Sequence, residues 1–303
     1  GTMWRYSDMN ADKETVGARS ASVCRGAGAE LRDVRGRRAT GTNGIVCIQS
    51  GWAAGAGTGG GNFEGGMTLR VHMRLLDNAA SFMTGVTQMY QRRGREDVNL
   101  VCIAGDGATA DCGFQSLSGA AERGEKMLYV CYDNEGYMNT GFQRSSTTSL
   151  GSRTSTTPIG SKIKGKTQQA KNLPFIMAMH NAEYVATASP SHMKDMMEKI
   201  EKGLAASKRG FAYLHIFSAC PTGWLYGPQV SVEVSRKAVQ SDFFPLYEVD
   251  RGVWKETVVN KKPTPLKDFL ALSKKFAKLT PEDAAALEEY VANRRNVLNK
   301  MAG

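Results

Sequence analysis

Asp106, set between Gly105 and Gly107, and Asn134, just ahead of Gly136, are side chains whose types and spacing suit a particular chemistry. Asp106 offers a hard carboxylate oxygen, Asn134 a side-chain carbonyl, and the main chain near Gly136 a third oxygen. Such a set suits Mg²⁺, which prefers octahedral oxygen ligands and commonly takes one or two from protein. The remaining positions would go to a diphosphate and water. Gly105 and Gly107 lack a Cβ and let the backbone come close to phosphate oxygens. A helix starting just beyond them would add free N–H donors and a positive dipole end.

Two strands and a helix have to bring these residues together. The apolar run over residues 99–104 (NLVCIA) reads as a buried strand of a parallel sheet, and Gly105-Asp106-Gly107 turns the chain at its end. A helix-compatible segment covers residues 112–123, stopped by Gly124. A second buried strand over residues 127–132 ends at Asp133-Asn134-Glu135-Gly136. One β-α-β unit therefore sets polar residues at the carboxyl ends of two strands, where open α/β sheets bind ligands.

These residues carry a resemblance. GDG, then a helix and a strand, then an Asn-containing turn resembles the thiamine diphosphate-binding motif. The longer strings GDGATADCGFQSLSGAAERG and YVCYDNEGYMNTGFQRSST are similar to the β subunit of 2-oxoacid:ferredoxin oxidoreductases, the pyruvate synthase group. EYVATASPSH, SACPTGW and FFPLYEV follow in the family's order, so the resemblance covers roughly residues 99–249. It implies an α/β fold, a mostly parallel sheet with helices on both faces that binds thiamine diphosphate and Mg²⁺. Asp106, Asn134 and the Gly136 carbonyl would be the metal ligands. Gly105, Gly107 and Ala108 would contact the diphosphate, and Asn139 and Thr140 would lie beside the thiazolium and the substrate carboxylate. The implied reaction is oxidative decarboxylation of a 2-oxo acid with coenzyme A, electrons leaving through iron–sulfur clusters to ferredoxin. The carboxylate that activates the cofactor would come from a companion α subunit, with γ and δ or iron–sulfur subunits in the same complex. Glu122 and Glu135 read as a helix-end charge and a turn residue, so the chain alone is expected to be inactive.

The family's β subunits also hold a [4Fe–4S] cluster, on an early C-x-x-C-Gly, a third Cys after the next strand, and a fourth in a string like SACPTGW. Here Cys24 matches the first position and Cys220 the fourth, but Ala27 stands at the second and Trp52 at the third. Two thiolates do not hold a cubane in the usual way, and Cys47 becomes a third only if the chain shifts by several residues. The missing cysteines favour a second reading, a thiamine-dependent decarboxylase or carboligase subunit without a redox centre. A third is a non-catalytic assembly subunit that keeps the fold; the intact Asp106 and Asn134 argue against it.

With 303 residues and 41% hydrophobic content, the chain can bury a large core. The expected division is a thiamine diphosphate-binding domain over residues 1–250 and a C-terminal helical arm over 251–303. No apolar run nears the ~20 residues of a membrane span, and no signal peptide opens the sequence, so a cytoplasmic protein is expected. The net charge is +10, with basic clusters over residues 32–38 and 92–95. Neither interleaved aromatics nor a nucleic-acid motif accompanies them, so they read as a solvated face or a contact for acidic partners such as ferredoxin. With no C-x-x-C and no secretory context, the six cysteines do not suggest a disulfide framework, and Cys102 and Cys131 read as packing residues in core strands.

Elsewhere, residues 43–49 read as a strand and residues 51–66 as a glycine-rich surface loop that lacks a P-loop ending. The apolar spacing over 72–92 predicts a helix. In the family a segment like Asp77-Asn78-Ala79-Ala80 lies near the cofactor. Residues 142–167 form a long loop whose Ser, Thr, Arg and Lys suit a cover over the diphosphate and substrate. Helices at 174–180 and 191–207 alternate with strands at 183–189 and 211–217. His180, His192 and His215 lack metal-ligand spacing. Thr280-Pro281-Glu282-Asp283 opens a helix, Thr as the cap and Pro at the first position.

Overall fold

A computed structural model describes residues 44–49, 70–160 and 164–303. The basic cluster at 32–38, Cys24, Ala27, Trp52 and the glycine-rich stretch 51–66 lie outside the described residues. Eight strands form one sheet in the order β2-β1-β3-β4-β6-β5-β7-β8. They are β1 (Gly44–Gln49), β2 (Arg70–Arg74), β3 (Asn99–Gly105), β4 (Leu128–Asp133), β5 (Tyr184–Ala188), β6 (Ala212–Phe217), β7 (Leu246–Asp250) and β8 (Val253–Val258). The first six pair in parallel; β7 and β8 add an antiparallel edge.

The central strands are mostly apolar and buried because both faces are covered, and successive side chains go to opposite sides. On one face Cys102, Ala104, Tyr129, Cys131 and Tyr213 pack with helices α1 (Ala79–Arg92), α2 (Phe114–Glu122) and α3 (Leu173–Met179). On the other, Val101, Ile103, Leu128, Val130 and Leu214 meet α4 (Met193–Ala206) through Met196, Ile200 and Leu204. Each such fully buried aliphatic side chain contributes about 1.5–3 kcal/mol. A third, aromatic cluster stands beyond the carboxyl ends of the strands. It joins Phe217, Trp224, Phe243, Phe269 and Phe276 with Leu287 and draws on α5 (Pro221–Trp224), α6 (Ser231–Gln240), α7 (Leu266–Leu270) and α8 (Pro281–Ala302).

The β-α-β unit forms as the sequence predicts, with one refinement. Between β3 and α2 the chain makes a π-helical turn over Ala108–Cys112. Gly124, at φ 63°, ends the helical run. The predicted helix over 72–92 needs correction: Arg70–Arg74 is the edge strand β2, paired with β1, and the helix starts only at Ala79. Pairing satisfies backbone groups that the β1 edge would otherwise leave open. Leu75 and Leu76, counted on sequence toward the helix's apolar face, lie in the connecting turn, 66% and 37% exposed.

The helical arm expected from residue 251 also needs correction. Arg251 and Gly252 take φ of 47° and 81°, both left-handed as a two-residue hairpin turn requires. The chain then returns as β8, so the sheet crosses the expected boundary. Trp254 of β8 stacks on Tyr247 with ring centroids 5.6 Å apart. The helix at Pro281 has the predicted cap, Thr280 Oγ1 accepting from Asp283 N at 3.1 Å. Among the described residues no helix is long and apolar enough to cross a membrane.

Candidate functional site

β3 and β4 run in register to the pair Gly105 and Tyr132, so Asp106 and Asp133 leave the sheet side by side. Asp106 is buried. Its Oδ2 accepts from Ser145 Oγ at 2.5 Å and from Thr147 Oγ1 at 2.9 Å; its Oδ1 accepts from Asn134 N at 3.4 Å. The outer atom of the Asn134 amide lies 2.7 Å from the Gly136 carbonyl oxygen and 3.0 Å from Asp106 Oδ1. Which amide atom stands there depends on the surroundings. Nitrogen makes hydrogen bonds to both. Oxygen makes three oxygens converge at separations close to the ~3.0 Å edge of an octahedron with ~2.1 Å Mg²⁺ ligand distances. The donor set fits a hard divalent cation.

The electrostatics agree. Burial, and then the neighbouring Asp133 carboxylate, push the Asp106 carboxyl well above its ordinary range, against the hydroxyls of Ser145 and Thr147. A cation would supply the missing counter-charge. Asp133 goes the other way. Burial would raise it, but His215 prevails and holds it below its ordinary value. Asp133 Oδ2 lies 2.9 Å from His215 Nε2, and His215 Nδ1 lies 2.7 Å from the Tyr213 hydroxyl.

The remaining glycines and Ala108 are also at this edge. The Gly105 carbonyl accepts from Thr109 Oγ1 at 2.6 Å, and Ala108, buried, opens the π-helical turn. At Gly107 a Cβ would come within 2.5 Å of the Tyr137 ring, whose hydroxyl donates to the Gly107 carbonyl at 2.9 Å. Direct contact with Tyr137 therefore demands a glycine there, independently of any phosphate. Asn139 and Thr140 are not drawn into the cluster. Both are exposed on the following turn, where Thr140 Oγ1 donates to Gln143 Oε1 at 2.6 Å. Asp77 reaches the flank of the unit, its carbonyl accepting from Ser116 Oγ at 2.8 Å.

Sequence reasoning missed how much the 142–167 segment contributes. Ser145, Thr147, Thr148, Ser149 and Ser152 are buried, and Thr147 Oγ1 lies 2.9 Å from both Asp106 Oδ2 and Asp133 Oδ1. Lys166, also buried, reaches the carbonyls of Ser146, Thr148 and Gln169. Burial, followed by the charge of Arg144, lowers its pKa to about 8. The dense run of Ser and Thr was the available signal. Glu135 is likewise more than a turn residue: it is buried and ion-paired with Lys275. No local pattern signals that pair.

The thiols are dispersed. Cys47 and Cys102 are register partners on β1 and β3, whereas Cys220 caps α5, its Sγ accepting from Gly223 N at 3.5 Å. Burial raises the Cys220 thiol pKa. Among the described residues, no three or more His, Cys, Asp or Glu gather to hold a metal ion; Cys24 is not among them.

Residues 69–216 match the family described as thiamine pyrophosphate enzyme, C-terminal TPP binding domain. NADH-dependent phenylglyoxylate dehydrogenase subunit beta of Aromatoleum evansii is 43% identical over 98% of this chain; the chain spans 66%, just under two thirds, of that subunit. Pyruvate synthase subunit PorB of Methanothermobacter thermautotrophicus is 46% identical over 71% of this chain and 74% of its own length. Among solved structures, the 2-oxoglutarate:ferredoxin oxidoreductase from Magnetococcus marinus, with 2-oxoglutarate, coenzyme A and succinyl-CoA bound, is similar at a TM-score of 0.54 and 25% identity. That match covers 67% of this chain and 62% of the other.

Proposed function

The chain belongs to the pyruvate synthase PorB family of 2-oxoacid oxidoreductase β subunits, and from that premise we propose that it binds thiamine diphosphate and Mg²⁺ for oxidative decarboxylation of a 2-oxo acid. The observation that carries this reading is the convergence of Asp106 Oδ1, the Asn134 amide and the Gly136 carbonyl within 3.0 Å of one another's nearest partner at two adjoining strand ends.

Asp106, Asn134 and Gly136 would hold the metal. The main chain at Gly105, Gly107 and Ala108 would face the diphosphate. Ser145 and Thr147 fix the second Asp106 oxygen and leave the first turned toward the Asn134 amide and the metal position. Asn139 and Thr140, on the exposed turn, would meet the thiazolium and the substrate carboxylate from the rim. When bound, thiamine diphosphate supplies an electron sink for breaking the bond between the 2-oxo carbon and its carboxylate. The packed Ser/Thr segment keeps bulk water from Asp106 and so strengthens its interaction with a cation.

A companion α subunit would contribute the activating carboxylate, coenzyme A would take the acyl group, and ferredoxin or a similar carrier would take the electrons in the cytoplasm. γ and δ or iron–sulfur subunits would complete the assembly. Any [4Fe–4S] cluster on this chain would need Cys24 and Cys220 with ligands beyond the family pattern, and the absence of that pattern is what favours a non-redox decarboxylase as the second reading. Two measurements test the proposal. Coenzyme A-dependent dye reduction by the purified complex, offered a panel of 2-oxo acids, is expected; decarboxylation without reduction would establish the second reading. Asp106→Ala is expected to abolish metal-dependent binding of thiamine diphosphate in calorimetry, and unchanged affinity would refute the site.

A further inference from the structure

The Asn134–Gly136 turn leaves β4 in a conformation that a residue with a side chain does not adopt freely. Glu135 has φ 59°, in the left-handed region where Cβ crowds the backbone. Two side chains from distant parts of the chain hold it there. The Glu135 carboxylate accepts from Ser149 N at 3.1 Å and Ser149 Oγ at 2.7 Å, and pairs with the ammonium of Lys275. Lys275 is 1% exposed and comes from the 3₁₀ turn Lys274–Phe276. The same ammonium stands 3.8 Å from the centroid of the Trp224 ring, a cation–π contact in a desolvated setting. The circle closes at the Trp224 indole, whose Nε1 donates to the Asn134 carbonyl at 2.8 Å.

We infer that Lys275, Glu135 and Trp224 form a buried brace that places the Asn134 amide and the Gly136 carbonyl, and so act as positioning residues for the divalent cation. The inference rests on the metal-site reading above and extends it to residues that do not touch the ion. The indole fixes the peptide plane after Asn134. The ion pair fixes the backbone torsions of Glu135, which place the Cα of Gly136, while Tyr137 N, donating to the Gln143 carbonyl at 2.9 Å, fixes the peptide plane that carries the Gly136 carbonyl. A buried ion pair is a weak source of net stability, because desolvation offsets its attraction. Its geometric effect is larger: partners standing behind metal ligands change metal affinity by about 10–100-fold.

The test uses the full chain, with Mn²⁺ as a paramagnetic probe titrated in the presence of thiamine diphosphate and followed by electron paramagnetic resonance. Trp224→Phe keeps the ring and removes the N–H. The double variant Lys275→Met/Glu135→Gln removes the charges together and leaves none unpaired. Both are expected to weaken Mn²⁺ binding by about 10–100-fold and to broaden its spectrum, with the thermal midpoint recorded alongside as a check on folding. If either variant fails to fold, the other decides. Wild-type Mn²⁺ affinity in a folded variant, while Asp106→Ala loses it, overturns the brace and leaves the metal site standing. Wild-type affinity in Asp106→Ala overturns the site itself, and the brace with it.

Discussion

β3 and β4 leave the sheet next to each other, yet the two exits are built on different plans. After β3 the backbone is held by short-range bonds, Thr109 to Gly105 and Gly113 N to the Ala108 carbonyl at 2.8 Å. Tyr137, Ser145 and Thr147 also hold it, reaching Gly107 and Asp106 from no more than 41 positions away. Glycines give this exit the room it needs. After β4 a left-handed Glu135 is held by Ser149 and by Lys275, the latter 140 positions away in sequence, with Trp224 bonded to its neighbour Asn134. Where glycine relieves the backbone, partners from the same part of the chain suffice; where a side chain is forced into a strained conformation, a partner from the far end of the chain holds it.

The contrast can be broken first at the β4 exit. Glu135→Ala leaves the Lys275 ammonium buried without its partner and should cost about 3–5 kcal/mol in urea unfolding; a loss below ~1 kcal/mol would mean that the turn stands without its distant support. At the β3 exit, Gly107→Ala drives a methyl into the Tyr137 ring and should cost about 1–3 kcal/mol. Combining it with Tyr137→Ala should cost less than the sum of the two, the sign that the ring contact is the cause; strict additivity would point elsewhere. Thr109→Val removes the hydroxyl bond to Gly105 and should cost about 1 kcal/mol, measurable as a shift of the urea midpoint. An equal loss for Thr109→Val and Glu135→Ala would erase the distinction between the exits.

The smallest effect is a pH dependence away from both exits. Burial opposes ionisation of Glu248, but hydrogen bonds from Lys202 and Tyr184 prevail and hold it below its ordinary 4.5. A carboxyl with a depressed folded value stabilises the fold above its unfolded value and loses that stabilisation as pH falls through the folded one. Acid unfolding should therefore show a modest loss beginning below pH 4.5, and Lys202→Met should reduce it. Half of Lys202 is exposed to solvent, so screening keeps the effect small.

The same contrast governs what could be read from the sequence. The β3 exit was legible because an apolar run, a glycine-flanked carboxylate and a helix stop lie within a few residues of each other. The parallel alternation through Phe217 and the cap at Thr280 were legible for the same reason. Asn134 and Gly136 could be singled out on sequence as candidates, but not what holds their turn, since an ion pair between Glu135 and Lys275 leaves no periodic trace. β2 was read as helix because Leu75 and Leu76 completed an apolar spacing that the fold does not use. β8 was missed because an edge strand with one partner alternates only weakly between apolar and polar residues. The 142–167 segment carried its polar character openly, yet only packing shows those hydroxyls facing inward onto two carboxylates.

The π-helical turn at Ala108–Cys112 has a consequence for how this region tolerates change. Such a turn carries one residue more than an ordinary helical turn, and each helical residue advances the direction of the next by about 100°. Deleting one residue here would swing Asp111 away from Ser146, whose backbone N–H and hydroxyl both bind its carboxylate. It would also change the angle at which α2 meets the sheet. Between Gly107 and Gly113, chain length is therefore held more tightly than side-chain identity: many replacements at the exposed Cys112 would leave the turn intact, whereas a single-codon deletion would put the helix out of phase.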